Sequence, residues 1–137
     1  MEANSRQQRK LADDQRRVKT EWERCRPFIE KALEHCETHD LEHVELALAD
    51  NAMQFWPGEK CAMVTQIFNF PKVRYLDIFL CGGDLNELLE MEQSVCAYAK
   101  QWGCQRVTGG GRKGWAKVMG RIGYKPATVL EKDLTNG

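Results

Sequence analysis

Apolar positions are sparse at the start of the chain and then follow two distinct periods. Residues 1–24 interleave Arg, Lys, Gln, Asp and Glu with few apolar anchors, the pattern of a solvated helix or a frayed tail. From Trp22 the spacing turns helical. Phe28, Ile29, Ala32 and Leu33 recur on one face, with Pro27 near the start, and predict a helix over about 26–37. Leu41 to Ala49 predicts a second, short helix with Asp40 as its N-cap. The chain then turns β-like. Met53–Trp56 and Cys61–Phe70 flank Pro57-Gly58-Glu59-Lys60 and predict a β-hairpin. Val73–Leu80 predicts a third strand, antiparallel to its neighbour because the connection is so short.

Beyond the turn Cys81-Gly82-Gly83-Asp84 the helical period returns. Leu85, Leu88, Leu89, Met91, Val95, Cys96, Ala99 and Trp102 form one stripe, with Glu92 at its edge. Such a stripe covers one face of a sheet. Gly103 suits the left-handed residue that ends a helix. Gln105–Thr108 predicts a short strand, and its distance from the preceding strand is that of a crossover unit with parallel strands. A last helix is expected over about 113–122, followed by the exit turn Gly123-Tyr124-Lys125-Pro126 and a final strand, Ala127–Leu134. The expected class is α+β: a mixed, mostly antiparallel central sheet flanked by helices. Residues 1–25 form a polar helical extension and 26–137 the folded domain.

At 137 residues the chain has the length of one domain with a real core. Twenty basic and twenty acidic residues cancel, so no global field steers it towards nucleic acid or an anionic membrane. No apolar run reaches the roughly 18 residues of a membrane span, and the N-terminus lacks the apolar core of a secretion signal. The expected setting is intracellular. Cys25, Cys36, Cys61, Cys81, Cys96 and Cys104 form no Cys-x-x-Cys pair and read as free thiols inside apolar or helical patterns. Arg16-Arg17-Val18-Lys19 could touch an anion, but the acidic residues mixed around it favour a solvated face.

Candidate chemistry concentrates at glycines. A strand ending in glycines at a helix start is an anion-binding geometry, because free N–H groups and the helix dipole point at the loop. Cys81-Gly82-Gly83-Asp84 is one such place, although Asp84 also suits the N-cap of the long helix, where its charge would compete with a phosphate. Gly109-Gly110-Gly111-Arg112-Lys113-Gly114 satisfies Gly-x-Gly-x-x-Gly. It lies too near the end of the chain for a dinucleotide fingerprint, which needs another strand and an acid about twenty residues on. Arg112 or Lys113 there would contact an anionic ligand. His35, Cys36, His39 and His43 span a helix junction. A turn near 38–40 would break their common face, so they read as helix-end side chains and no metal site is expected. Spacing alone assembles no Ser/His/Asp or Cys/His set.

The order of elements, with Phe55-Trp56-Pro57-Gly58, Val64-Thr65, Leu76-Asp77-Ile78-Phe79-Leu80-Cys81-Gly82-Gly83-Asp84-Leu85, Ala99-Lys100-Gln101-Trp102-Gly103-Cys104, Gly111-Arg112-Lys113-Gly114-Trp115, Gly123-Tyr124 and Leu130-Glu131-Lys132-Asp133-Leu134, resembles the GNAT acyltransferase superfamily. Within it, the chain is similar to GNAT-like proteins encoded among tailed-phage and prophage virion genes. The resemblance covers about residues 26–134. It implies acetyl-CoA in a V-shaped opening between the family's fourth and fifth strands, with the pyrophosphate on the loop opening the long helix. Leu80, Cys81, Gly82, Gly83, Asp84, Leu85, Asn86 and Arg112 would then bind the cofactor. The chemistry would be attack of an amine on the thioester, aided by a base and a thiol-protonating acid. The family loop is longer and basic where this chain has Cys-Gly-Gly-Asp, and Met119 stands where the acid tyrosine usually lies. Tyr124 and Tyr98 are alternative phenols and Glu45 a candidate base. Two functions follow from the resemblance: an N-acetyltransferase acting on a protein or small amine, or a GNAT-fold protein that binds a virion or host partner without acetyl transfer. Either would act in the host cytoplasm or packaged in the virion.

Overall fold

The computed structural model describes residues 2–110 and 113–135. Its first element, α1 (Glu2–Leu33), is one continuous helix of 32 residues. The helix expected over 26–37 is therefore the C-terminal end of a longer one, and Pro27 lies in its interior rather than at its start. A proline there removes an N–H and crowds the preceding turn. Cys25 and Ile29 flank it and are both fully buried, which holds the two sides of the proline against the same core. Residues 5–20 stand almost entirely in solvent, a helical face laced by Asp13–Arg16 and Asp14–Arg17 ion pairs. The chain turns after Leu33 and starts α2 (Leu41–Ala49) with Asp40 at the N-cap. The imidazole Nδ1 of His43 accepts the Asp40 backbone N–H at 2.9 Å.

Four strands follow: β1 (Met53–Pro57), β2 (Cys61–Asn69), β3 (Arg74–Gly83) and, after α3 (Leu85–Gln101), β4 (Arg106–Gly109). They lie in chain order, β1-β2-β3-β4. The first two pairings are antiparallel and β3–β4 is parallel, as the short hairpin and the long crossover predict. α4 (Lys113–Gly120) comes last. Cys25, Ile29, Val44, Met53, Ala62, Val64 and Leu80 make the core between the sheet and α1–α2. Cys61, Met63, Leu76, Ile78, Leu88, Val95 and Ala99 make the core on the α3 face.

Two expectations are corrected. Cys81, Gly82 and Gly83 are not a turn: they continue β3, paired with Met63, Ala62 and Cys61. Their glycines serve close approach. A Cβ on Gly82 would collide with the Phe28 carbonyl of α1, and one on Gly83, at φ +112°, with the Lys60 carbonyl. Among the described residues Ala127–Leu134 form no strand. Val129, Leu130 and Leu134 are 85%, 92% and 81% exposed. Alternation supplies a strand's shape but not the neighbour whose N–H and C=O groups it needs.

Candidate functional site: the cleft where β3 and β4 part

β3 and β4 run side by side from Tyr75 opposite Arg106 to Ile78 opposite Gly109. Past that point β4 ends and β3 continues for five residues. Opposite β2 the register skips one residue: Val64 pairs with Leu80 and Thr65 with Ile78, leaving Phe79 as a bulge. The bulge reverses which way the strand's side chains point. Leu76 and Ile78 face the α3 core, whereas Leu80 faces the α1–α2 core. Parting and bulge together open a cleft of about 430 Å³, within the range of small-molecule sites.

Three parts of the chain wall the cleft. β3 contributes Asp77, Ile78, Phe79, Leu80 and Cys81; the end of α1 and the turn after it contribute Ala32, His35 and Cys36; Gly110 and Trp115 close it from beyond β4. Asp77 is the acid of this wall. Its carboxylate accepts Gln66 Nε2 at 3.0 Å and the Thr108 hydroxyl at 2.9 Å, tying β2, β3 and β4 together at the point of parting. Phe79 packs edge-on against the His39 ring, centroids 4.7 Å apart, which fixes the turn carrying Cys36. Burial works to raise the Cys36 thiol pKa. Hydrogen bonds from the Thr38 hydroxyl and from the backbone N–H groups of Thr38 and His39 outweigh it and hold the thiol below its ordinary value. Cys25, Cys61, Cys96 and Cys104 are shifted the other way, burial being the first cause in each.

The start of α3 lies at the far end of β3. No loop separates them: Gly83 ends the strand and Asp84 is the helix N-cap. The Asp84 carboxylate accepts the Glu87 N–H at 3.0 Å, and its own N–H donates to the Lys60 carbonyl at 2.9 Å. The Glu87 carboxylate accepts the Lys60 N–H at 3.1 Å and the Cys61 thiol at 3.2 Å. Burial would raise Glu87; the Cys61 thiol and the N–H groups of Lys60 and Glu59 lower it below its ordinary value. Two carboxylates therefore occupy the first turn.

Of the positions singled out for a cofactor, Leu80 and Cys81 line the cleft. Gly82 lies against α1 and Gly83 against the hairpin turn. Asp84 caps α3, and Leu85 and Asn86 are exposed on its first turn. Arg112 lies outside the described residues. Tyr124 donates its phenol to Glu92 at 2.9 Å, beside the Cys96 thiol, which donates to the same oxygen at 2.8 Å. Burial and that carboxylate push the Tyr124 phenol far above its ordinary value and the Cys96 thiol up to about 11. Tyr98 packs edge-on against Trp56 on the α3 face, and Glu45 accepts the Trp22 indole at 3.0 Å. None of these three is among the lining residues of the cleft. Among the described residues no three side chains converge as a metal site, and no helix is long and apolar enough to cross a membrane.

Sequence reasoning did not single out Asp77, Phe79, Gly110 or Trp115 as site residues. One signal was legible: Asp77 is the acid interrupting the apolar run Leu76–Leu80.

No family model and no curated protein matches the sequence. Solved structures do. A predicted acetyltransferase from Clostridium acetobutylicum, solved with acetyl-CoA, superimposes with a TM-score of 0.59 at 15% identity, over 70% of this chain and 73% of that one. An aminoglycoside acetyltransferase from an uncultured soil metagenomic sample, in complex with trehalose, gives 0.57 at 12% identity, over 79% of this chain and 84% of that one. The same enzyme with sisomicin gives 0.56 at 11% identity, over 77% and 84%. The fold is similar to that of GNAT-type acetyltransferases. At these identities the likeness is one of backbone, and a shared fold does not assign the chemistry.

Proposed function

We propose that this chain is a GNAT-type N-acyltransferase whose cleft between β3 and β4 receives the acyl-thioester end of its donor, acetyl-CoA. The observation that carries the reading is the parting of β3 from β4 beyond Ile78 and Gly109, with the Phe79 bulge beside it. A thioester donor supplies an activated carbonyl for attack by an amine. This chain's own contribution is a cleft walled by Ile78, Leu80 and Trp115, with the Asp77 carboxylate held in place by two donors. Such a cleft orients a carbonyl for attack. The residues fit the thioester arm of the donor. They do not fit its diphosphate at the start of α3, where Asp84 and Glu87 place two carboxylates and the Glu87 N–H is already bonded to Asp84. The acceptor is an amine of a protein or small molecule, in a virion or host setting.

Those carboxylates, and the engagement of Tyr124 with Glu92, favour a second reading: a GNAT-fold protein that binds a virion or host partner without acetyl transfer. Thiol release separates the two. The protein is incubated with acetyl-CoA and a panel of amines comprising a polyamine, an aminoglycoside and a lysine peptide, and free thiol is followed over time. Acceptor-dependent release supports the transferase. No release, together with no calorimetric binding of acetyl-CoA, leaves the second reading.

A further inference from the structure

The cleft and the start of α3 are separate places in this molecule, and that separation bears on what kind of donor the protein recognises. Along β3 the cleft wall stops at Cys81. Gly82 is pressed against the Phe28 carbonyl of α1, and Gly83 against the hairpin turn at Lys60. Beyond them α3 begins with no intervening loop, so no glycine loop is left to wrap a phosphate.

Electrostatics points the same way. A helix N-terminus carries roughly half a positive charge, whereas Asp84 and Glu87 place two carboxylates on this one. The Glu87 N–H is spent on Asp84, and the N–H groups of Lys60 and Asp84 on Glu87 and the Lys60 carbonyl respectively. Arg24 reaches the neighbouring hairpin turn but is committed there. Its guanidinium donates to Glu21 at 2.7 Å and to the carbonyls of Gly58 and Glu59 at 2.7 and 3.0 Å. A diphosphate laid on this helix start would meet the Asp84 and Glu87 carboxylates, with the Glu87 N–H already in use.

We infer that donor recognition is confined to the acyl-pantetheine arm: the cleft selects a pantetheine thioester, and the nucleotide diphosphate of coenzyme A adds nothing at α3. This rests on the reading of the cleft as a thioester site. It makes pantetheine thioesters as a class, including those carried on a protein-bound phosphopantetheine, equivalent donors at this site.

The test compares three ligands on the full chain by calorimetry and amide chemical shifts: acetyl-CoA, S-acetylpantetheine, and the nucleotide half of coenzyme A alone. The two thioesters should bind within about threefold of one another. The nucleotide half should leave the Leu85 and Asn86 amides unmoved. Asp84→Asn keeps a good helix cap while removing a charge, so it should fold, and it should leave the binding of both acetyl-CoA and S-acetylpantetheine within about threefold of wild type. Acetyl-CoA binding more than about thirtyfold tighter than S-acetylpantetheine, with shifts at Leu85 and Asn86 reproduced by the nucleotide half, would overturn the inference and leave the cleft reading standing. Binding of neither thioester would overturn both.

Discussion

At the scale of single residues, Cys36 is set apart from the other thiols whose ionisation the structure shifts. The turn after α1 offers it the Thr38 hydroxyl and two backbone N–H groups, which stabilise the thiolate. Cys61, buried beside the Glu87 carboxylate, is pushed up to about 12, and Cys96, beside Glu92, to about 11. Iodoacetamide at mildly alkaline pH should therefore modify Cys36 well before Cys61 or Cys96, read by peptide mass spectrometry. Thr38→Val should slow the Cys36 reaction, and equal rates at all three sites would contradict the account. Gly83 is the other residue whose chemistry is fixed locally. At φ +112°, with the Lys60 carbonyl where a Cβ would go, Gly83→Ala should cost about 2 kcal/mol in denaturant unfolding. Its effect on ligand binding would then report on folding rather than on a phosphate contact.

At the scale of elements, α1 and the start of α3 show how local rules yield to packing. Pro27 sits inside a helix because Cys25 and Ile29 are both fully buried around it. Pro27→Ala restores an N–H and relieves the crowded turn, so it should stabilise the protein by about 2 kcal/mol; a loss of stability would mean that the proline is seated in a bend the fold requires. The start of α3 carries a pH dependence. Glu87 has its pKa lowered in the folded state, so the stability it contributes is fully present above its unfolded value and is lost as pH falls through its folded value. Unfolding midpoints measured downwards from neutral pH should fall in the wild type once pH drops below the ordinary value of 4.5. In Glu87→Gln that fall should be shallower. The sequence shows a cap at Asp84 plainly, because a carboxylate before an amphipathic run is a local signal. It does not show Glu87 reaching back to the hairpin turn, a contact between residues 27 apart. The same distinction explains the glycines. Read locally, Gly82 and Gly83 mark a turn; their actual cause is α1 and the hairpin turn lying close above and below β3, which no local pattern contains.

At the scale of the whole molecule, the layout was legible from periodicity: two helices, a hairpin, a third strand and a parallel crossover. The helices and strands that bury a face are the ones whose spacing predicted them. The stretches that failed are those whose state depends on a distant partner. Residues 127–134 alternate like a strand, yet Val129 and Leu130 stay exposed. The cleft itself was legible only as a resemblance, since it arises from a mismatch in length between β3 and β4 and from one unpaired residue, Phe79. Asp77, the neighbours His35 and Cys36, and Trp115 come together there from three separate parts of the chain. The carboxylate that the proposal sets against a phosphate seat at the start of α3, by contrast, is legible in the sequence as Asp84.

The measurement that tests the central claim most directly is an amide and indole chemical-shift titration of the full chain with acetyl-CoA. The account predicts saturable shifts at Ile78, Phe79, Leu80, Gly110 and the Trp115 indole, with Leu85 and Asn86 unmoved. Saturable binding that shifts α3 or the exposed half of α1 and spares these residues, or no shift up to roughly millimolar ligand, would contradict it.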